Sequence, residues 1–115
     1  GDEIYARLDD FRIGAFAEFV AVKEASLAPK PKGLTMEEAA SLPLVALTAW
    51  QALVEKGKLE KGQKVFIQAG SGGVGTLASQ LAKHLGATVA TTTSASNAAP
   101  TVVTSMNGVP LASLS

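Results

Sequence analysis

The 115-residue chain lacks cysteine and has a single histidine, His84, and both shortages restrict its chemistry. Without cysteine the chain forms no disulfide, has no thiolate nucleophile and offers no sulfur ligand to zinc. One histidine and scattered carboxylates make a poor set of metal ligands. We therefore expect no metal site and no metal-dependent catalysis.

An excess of charge of either sign is also absent, because 10 Lys and Arg residues balance 10 Asp and Glu residues. This balance gives no reason to expect nucleic acid or an anionic membrane as a partner. No apolar run approaches the roughly 18 residues that a membrane span requires. The acidic start Gly1–Glu3 is unlike the basic start of a signal peptide. We expect a cytoplasmic protein without membrane contact.

Charged residues stop well before the chain does. Residues 85–115 contain no Asp, Glu, Lys, Arg or His. Charged side chains normally protect the edges of a sheet, and Thr101–Thr104 has the β-branched composition of a strand. We predict that this segment pairs with another chain, which gives a homo-oligomer. A disordered tail on a monomer is the alternative.

The N-terminal part of the sequence predicts strands and then a break. The run Gly14–Val22 alternates in the manner of a β-strand, and Ile4–Leu8 is its expected partner. Pro29–Gly33 interrupts regular structure and predicts a linker. Thr35 followed by Glu38 is a capping box, so a short helix should begin immediately after Thr35.

Residues beyond this helix alternate between helix and strand. A second helix should end near Gly57, where Leu47, Trp50 and Leu53 recur at helical spacing. Val65–Ile67 predicts a buried strand, and Thr88–Thr93 predicts another. Between these strands lie a glycine-rich loop and an amphipathic helix that Gly86 should stop. The sequence thus predicts a strand–helix–strand, or βαβ, unit.

The loop reads GSGGVG over residues 70–75, which matches the pattern G-x-G-x-x-G. Its position after a strand and before a helix is the context that this pattern requires in dinucleotide-binding proteins. There Gly70 permits the tight turn, Gly72 lets a pyrophosphate approach the backbone, and Gly75 lets the helix pack closely. Amides at the helix start would face the anion. A tight turn without a ligand is the alternative.

The end of the second strand bears on the choice of cofactor. An NAD site carries Asp or Glu there, to bind the ribose hydroxyls. This sequence has Thr91–Ser94 instead, so no acid repels a 2′-phosphate and hydroxyl groups are available to bind one. The segment therefore favours NADPH, although no lysine or arginine lies nearby in the sequence. An ordinary threonine-rich strand is the alternative.

Four segments together carry a resemblance to a known family. They are, in this order, Gly14–Phe19, Glu38–Leu44, Leu47–Leu53 and Ala69–Gly75. The chain resembles the medium-chain dehydrogenase/reductase superfamily, and within it the zinc-independent, zeta-crystallin-like quinone oxidoreductases. The resemblance covers roughly residues 1–97, and the family's enzymes are much longer.

The resemblance implies an α/β fold, namely a partial Rossmann-like βαβ unit preceded by remnant strands of a GroES-like domain. Residues 1–33 would be the catalytic-domain remnant and linker, 34–97 the partial dinucleotide-binding domain, and 98–115 an uncharged tail unlike the family. The implied activity is NADPH-dependent hydride transfer to quinones or similar α,β-unsaturated carbonyls. Because the chain looks like a fragment, we expect it to be inactive alone. A non-catalytic structural or self-assembling remnant is the alternative.

The resemblance also suggests binding residues, and it assigns no catalytic residue. Thr48 matches the threonine near the nicotinamide ribose and phosphate. The pyrophosphate loop corresponds to the residues already noted in the motif, together with two neighbours: Gly70, Gly72, Gly73, Val74 and Gly75. The segment facing the adenosine phosphate corresponds to Thr92, Thr93 and Ser94.

Overall fold

A computed structural model describes residues 1–9, 14–94 and 96 of the chain. The predicted tail at 98–115, including the predicted strand Thr101–Thr104, lies outside these residues. The described residues fall into two compact units with a boundary between Leu44 and Val45. Both contain helix and strand, so the predicted α/β class is confirmed. Within the described ranges no helix is long and apolar enough to cross a membrane.

The first unit contains two short antiparallel strands. Strand β1, Ile4–Ala6, pairs with β2, Leu27–Pro29, so that Tyr5 lies opposite Ala28. A 3-10 turn, Glu24–Ser26, precedes β2. Lys30 follows it and its largely buried Nζ donates to the Leu34 carbonyl at 2.6 Å.

The predicted strand over Gly14–Val22 is wrong, and β1 pairs with β2 instead. Residues 16–18 form a bend, and the Phe16 and Phe19 side chains are 108% and 90% exposed. Alternation produces a strand only where one face can be buried against other residues. The described part of this unit buries neither phenylalanine, so no burial stabilises a strand over these residues.

The helices begin and end where the sequence predicts. Helix α1, Met36–Ala40, starts with the expected capping box: the Glu38 amide donates to Thr35 Oγ1 at 3.2 Å, and the Thr35 amide donates to Glu38 Oε2 at 2.9 Å. Helix α2, Leu42–Trp50, continues as a π-helical segment, Gln51–Lys56. The sequence did not indicate this wider winding.

The second unit holds the predicted βαβ arrangement. Strand β3, Lys64–Ile67, leads through the glycine-rich loop to α3, Gly73–His84, and then to β4, Thr88–Thr91. The strands are parallel, with Ile67 opposite Thr91. Gly86 ends the helix region with φ at +83°, a conformation that side chains with a Cβ rarely adopt.

The buried residues of α3 are all small, namely Gly75, Ala78, Ser79 and Ala82, which lets the helix lie close to this sheet. Ala82, Ala87 and Val89 are buried together, and larger side chains pack around them. These partly buried neighbours are Leu53, Leu59, Val65 and Ile67. The packing fixes α3 against the strands and thereby fixes the position of its N-terminus at the carboxyl ends of β3 and β4.

Candidate dinucleotide-binding site

The candidate site lies where β3 and β4 end and α3 begins. Because Ile67 and Thr91 are opposite each other in a parallel pair, the segments that follow them emerge at the same edge. One is the glycine-rich loop and the other contains Thr92, Thr93 and Ser94. In open α/β sheets this edge is where ligands bind.

The turn out of β3 depends on Ala69 rather than on Gly70. Ala69 has φ at +52°, the left-handed region, whereas Gly70 has no positive φ. Gly70 is required for another reason, since a Cβ on it would lie 2.8 Å from Thr91 Cγ2. The glycine pattern predicts that Gly70 makes the tight turn. In the structure the residue with the left-handed backbone is Ala69, one position earlier.

Gly75 brings the first turn of α3 directly against the loop. A Cβ on Gly75 would lie 2.8 Å from Gly70 Cα and would collide with the Ala69 carbonyl. At Gly72 the space is less restricted, with the nearest atom, the Ala69 carbonyl oxygen, at 3.2 Å. Gly73 stands against α2, because its Cβ would lie 3.3 Å from Val45 Cγ1. These distances make Gly75 the most constrained residue of the helix start.

The start of α3 presents amide groups that the helix itself does not use. Gly72 is the N-cap and supplies no side-chain cap. Helix geometry leaves the amides of Gly73, Val74 and Gly75 without an acceptor inside the helix. No acidic residue occupies the first turn. Free amides and the positive end of the helix dipole together suit an anion such as a pyrophosphate.

The threonines after β4 connect to the loop through their hydroxyl groups. Thr91 Oγ1 donates to the Ile67 carbonyl at 2.6 Å. Thr92 Oγ1 accepts from the Ala69 amide at 3.1 Å, and the Thr92 carbonyl accepts from the Gly70 amide at 2.8 Å. Sequence reasoning missed the part that Thr91 and Ala69 play, because neither a buried threonine nor an alanine indicates a turn.

The neighbouring hydroxyl groups have different surroundings. Thr93 Oγ1 is buried and has no hydrogen-bond partner within the described ranges. Ser94 is exposed, and its Oγ lies 3.2 Å from Ser96 Oγ. The structure therefore brings the predicted Thr92–Ser94 segment to the loop edge, with one hydroxyl bonded to the loop and the others turned elsewhere.

Thr48 lies on α2 and is exposed. It follows Val45 by three residues, so both lie on neighbouring positions of one helix side. Val45 is the residue that Gly73 approaches, which places this side of α2 beside the start of α3.

An apolar groove of about 350 Å³ runs between α2 and α3, further along the helices. It is lined by Ala46, Ala49, Trp50, Leu77, Gln80, Leu81 and His84. Trp50, at one side of this groove, is 44% exposed. Across the described ranges, no group of three or more His, Cys, Asp or Glu side chains could hold a metal ion.

Comparison with known proteins gives matches that share both sequence and fold. No protein-family model matches the chain. It is 46% identical over 98 residues to the mitochondrial NAD(P)H oxidoreductase RTN4IP1 of Danio rerio, covering 82% of this chain and 25% of the relative. The quinone oxidoreductase from Coxiella burnetii superposes with a TM-score of 0.79 at 41% identity, covering 86% of this chain and 31% of that structure.

A second solved structure is the quinone oxidoreductase from Thermus thermophilus, determined also in complex with NADPH. It superposes with a TM-score of 0.65 at 43% identity, covering 70% of this chain and 27% of that structure. The chain belongs to the medium-chain dehydrogenase/reductase superfamily. The resemblance and the fold predicted from the sequence are thereby confirmed.

This member of the superfamily spans about a quarter of the length of the curated relatives that it matches. The coverage agrees with the predicted fragment. The Danio rerio relative is named an NAD(P)H oxidoreductase, and the Thermus thermophilus structure was determined with NADPH bound. The uncapped amides at the start of α3 fit the pyrophosphate of such a cofactor.

Proposed function

We propose that this chain forms the pyrophosphate-binding part of an NADPH-dependent oxidoreductase that transfers hydride to quinones or similar α,β-unsaturated carbonyls. The observation that carries this proposal is the uncapped N-terminus of α3 beside a loop without side chains at Gly70, Gly72 and Gly75. When bound, the cofactor supplies the hydride, and the protein binds and orients it.

Different described residues would bind different parts of the cofactor. The amides of Gly73 and Val74 would donate to the pyrophosphate oxygens, aided by the helix dipole. Thr48 would bind near the nicotinamide ribose, because its side of α2 adjoins the helix start. Ser94, which is exposed, would offer its hydroxyl group to the adenosine phosphate, whereas the Thr93 hydroxyl is buried in this structure. The lack of an acid there favours NADPH over NADH.

Titration calorimetry with NADPH, NADH and ADP tests this proposal. We expect measurable binding of all three, with NADPH somewhat tighter than NADH. Gly72→Val should abolish binding, because its side chain would stand where the pyrophosphate approaches the backbone. Gly33→Val is the matched control, since nothing lies within 4 Å of a Cβ at Gly33. Equal affinity of the Gly72 variant and the original chain would refute the loop assignment, and tighter binding of NADH would refute the cofactor preference.

We further propose that the chain alone does not reduce quinones. Hydride transfer requires both halves of the cofactor and the substrate in register, which the described residues do not provide by themselves. The rival is a non-catalytic structural or self-assembling remnant, which also fits the loop but in which no complete hydride-transfer pocket forms. NADPH oxidation with a simple quinone is the direct assay, and rapid turnover would overturn the proposed inactivity.

Homo-oligomerisation and cytoplasmic location also remain proposals. In the second unit β3 pairs only with β4, so the outer edges of this pair have no further strand within the described part of the chain. Phe66 on β3 is 50% exposed. Open edges favour strand addition by a second copy. Light scattering of the full chain tests this, and a monomer mass would refute it. The name of the Danio rerio relative places that protein in mitochondria, so the cytoplasmic location proposed for this chain rests on its sequence alone.

A further inference from the structure

The glycine-rich loop contains a residue in an unfavourable backbone conformation. Ala69 has φ at +52°, where a Cβ crowds the following carbonyl oxygen. Glycine would adopt this conformation at little cost, but this position holds alanine. Neighbouring contacts must therefore hold Ala69 in place.

Thr92 supplies these contacts. Its Oγ1 accepts the Ala69 amide at 3.1 Å, and its carbonyl accepts the Gly70 amide at 2.8 Å. Two consecutive amides of the turn are thus bonded to one residue at the end of β4. The side-chain bond is the one that a substitution can remove without altering the backbone.

The conformation of Ala69 in turn decides where α3 starts. The Ala69 carbonyl accepts the Gly72 amide at 2.9 Å. The same carbonyl is the group that a Cβ on Gly75 would strike. A rotation at Ala69 would therefore displace the N-cap and the first turn, which carry the amides proposed to bind the pyrophosphate.

We propose that Thr92 is a positioning residue, whose hydroxyl holds Ala69 left-handed and so aims the start of α3 at the pyrophosphate. The inference rests on the proposed function for its ligand, and it gives Thr92 a role different from direct contact with the adenosine phosphate. A hydroxyl in direct contact would discriminate between NADPH and NADH. A hydroxyl that orients the loop affects every ligand that carries a pyrophosphate.

The test compares four variants with the original chain: Thr92→Val, Thr92→Ser, Ala69→Gly and the double variant Thr92→Val/Ala69→Gly. Binding of NADPH, NADH and ADP is measured by calorimetry, and a thermal melt verifies that each variant is folded. We expect Thr92→Val to weaken all three ligands by a similar factor of about 3 to 10, which corresponds to about one lost hydrogen bond. Thr92→Ser keeps the acceptor and should bind like the original chain.

The double variant separates orientation from direct contact. Glycine at position 69 adopts the left-handed conformation without help, so it should restore most of the affinity that Thr92→Val loses. Loss confined to NADPH, or no recovery in the double variant, would overturn the inference, since both outcomes indicate direct ligand contact. Equal binding by Thr92→Val and the original chain would overturn it as well.

Hydrogen exchange of the loop amides keeps this test independent of the proposed function. Thr92→Val should speed exchange at Ala69, because that amide loses its acceptor, and the ordered turn should loosen at Gly70. If the original chain binds none of the nucleotides, the proposed function fails, while faster exchange in Thr92→Val still supports the positioning role. Unchanged exchange at both amides would refute that role whatever the nucleotides do.

Discussion

Both compact units leave some large apolar side chains exposed, but they differ in the ones that they bury. In the first unit, Phe16 and Phe19 are almost fully exposed, and Val20 is 47% exposed. In the second, Ala82 and Val89 are 0% exposed. The second unit has a crossover helix that covers one face of a parallel strand pair, whereas the first has two three-residue strands and a five-residue helix. Burial requires a second layer, and the composition of a segment does not supply one.

Substitutions of glycine should give the largest difference in stability between the two units. A side chain at Gly75 would collide with the loop, whereas one at Gly33 in the first unit meets nothing within 4 Å. We expect Gly75→Val to lower the free energy of unfolding by roughly 3 kcal/mol or more, because the obstructing atoms are backbone and cannot turn away. Gly33→Val should change it by less than about 0.5 kcal/mol. Urea unfolding followed by circular dichroism measures both, and similar losses would contradict the contrast.

The same contrast can be tested with one residue type. Val89 is fully buried in the second unit, and Val20 is half exposed in the first. Val89→Ala should cost about 2 kcal/mol, since it removes buried methyl groups and leaves a cavity beside Ala82. Val20→Ala should cost less than about 0.5 kcal/mol. Equal effects in urea titrations would mean that the first unit is packed more tightly than its exposed side chains indicate.

The difference between the units also explains which parts of the fold could be predicted. The capping box at Thr35, the βαβ order and the stop at Gly86 follow from local chemistry, and the structure has all three. The strand over Gly14–Val22 was wrong because strand formation there depends on a partner surface. Alternating apolar residues show only that a strand would have one apolar face. No described layer covers that face in Gly14–Val22.

In the candidate site too, local sequence patterns predict the loop but not every residue that shapes it. A glycine pattern located the loop, and its position between strand and helix was correct. The left-handed turn fell on Ala69 rather than on a glycine, because hydrogen bonds from a distant strand end hold it there. The bond from the Ala69 amide to Thr92 Oγ1 joins residues 23 positions apart, and no local pattern encodes such pairing.

The smallest expected effect concerns two serines with opposite surroundings. Ser41, in the first unit, is exposed, and its Oγ donates to the Glu38 carbonyl at 2.7 Å. Ser79, on α3, is 5% exposed, and its Oγ has no hydrogen-bond partner in the described part of the chain. Burying a hydroxyl without a partner costs about 1 kcal/mol or more. Ser79→Ala removes the unpaired hydroxyl, keeps nearly the same volume and suits the helix better.

We therefore expect Ser79→Ala to raise the free energy of unfolding by about 1 kcal/mol, and Ser41→Ala to lower it by roughly 0.5 kcal/mol. Helix propensity alone accounts for about 0.5 kcal/mol of the gain at Ser79. A gain at Ser79 no larger than this propensity contribution would mean that the buried hydroxyl has a partner. Loss of stability in Ser79→Ala would mean that this partner contributes to folding. The buried hydroxyl of Ser79 would then be hydrogen-bonded, as the exposed hydroxyl of Ser41 is.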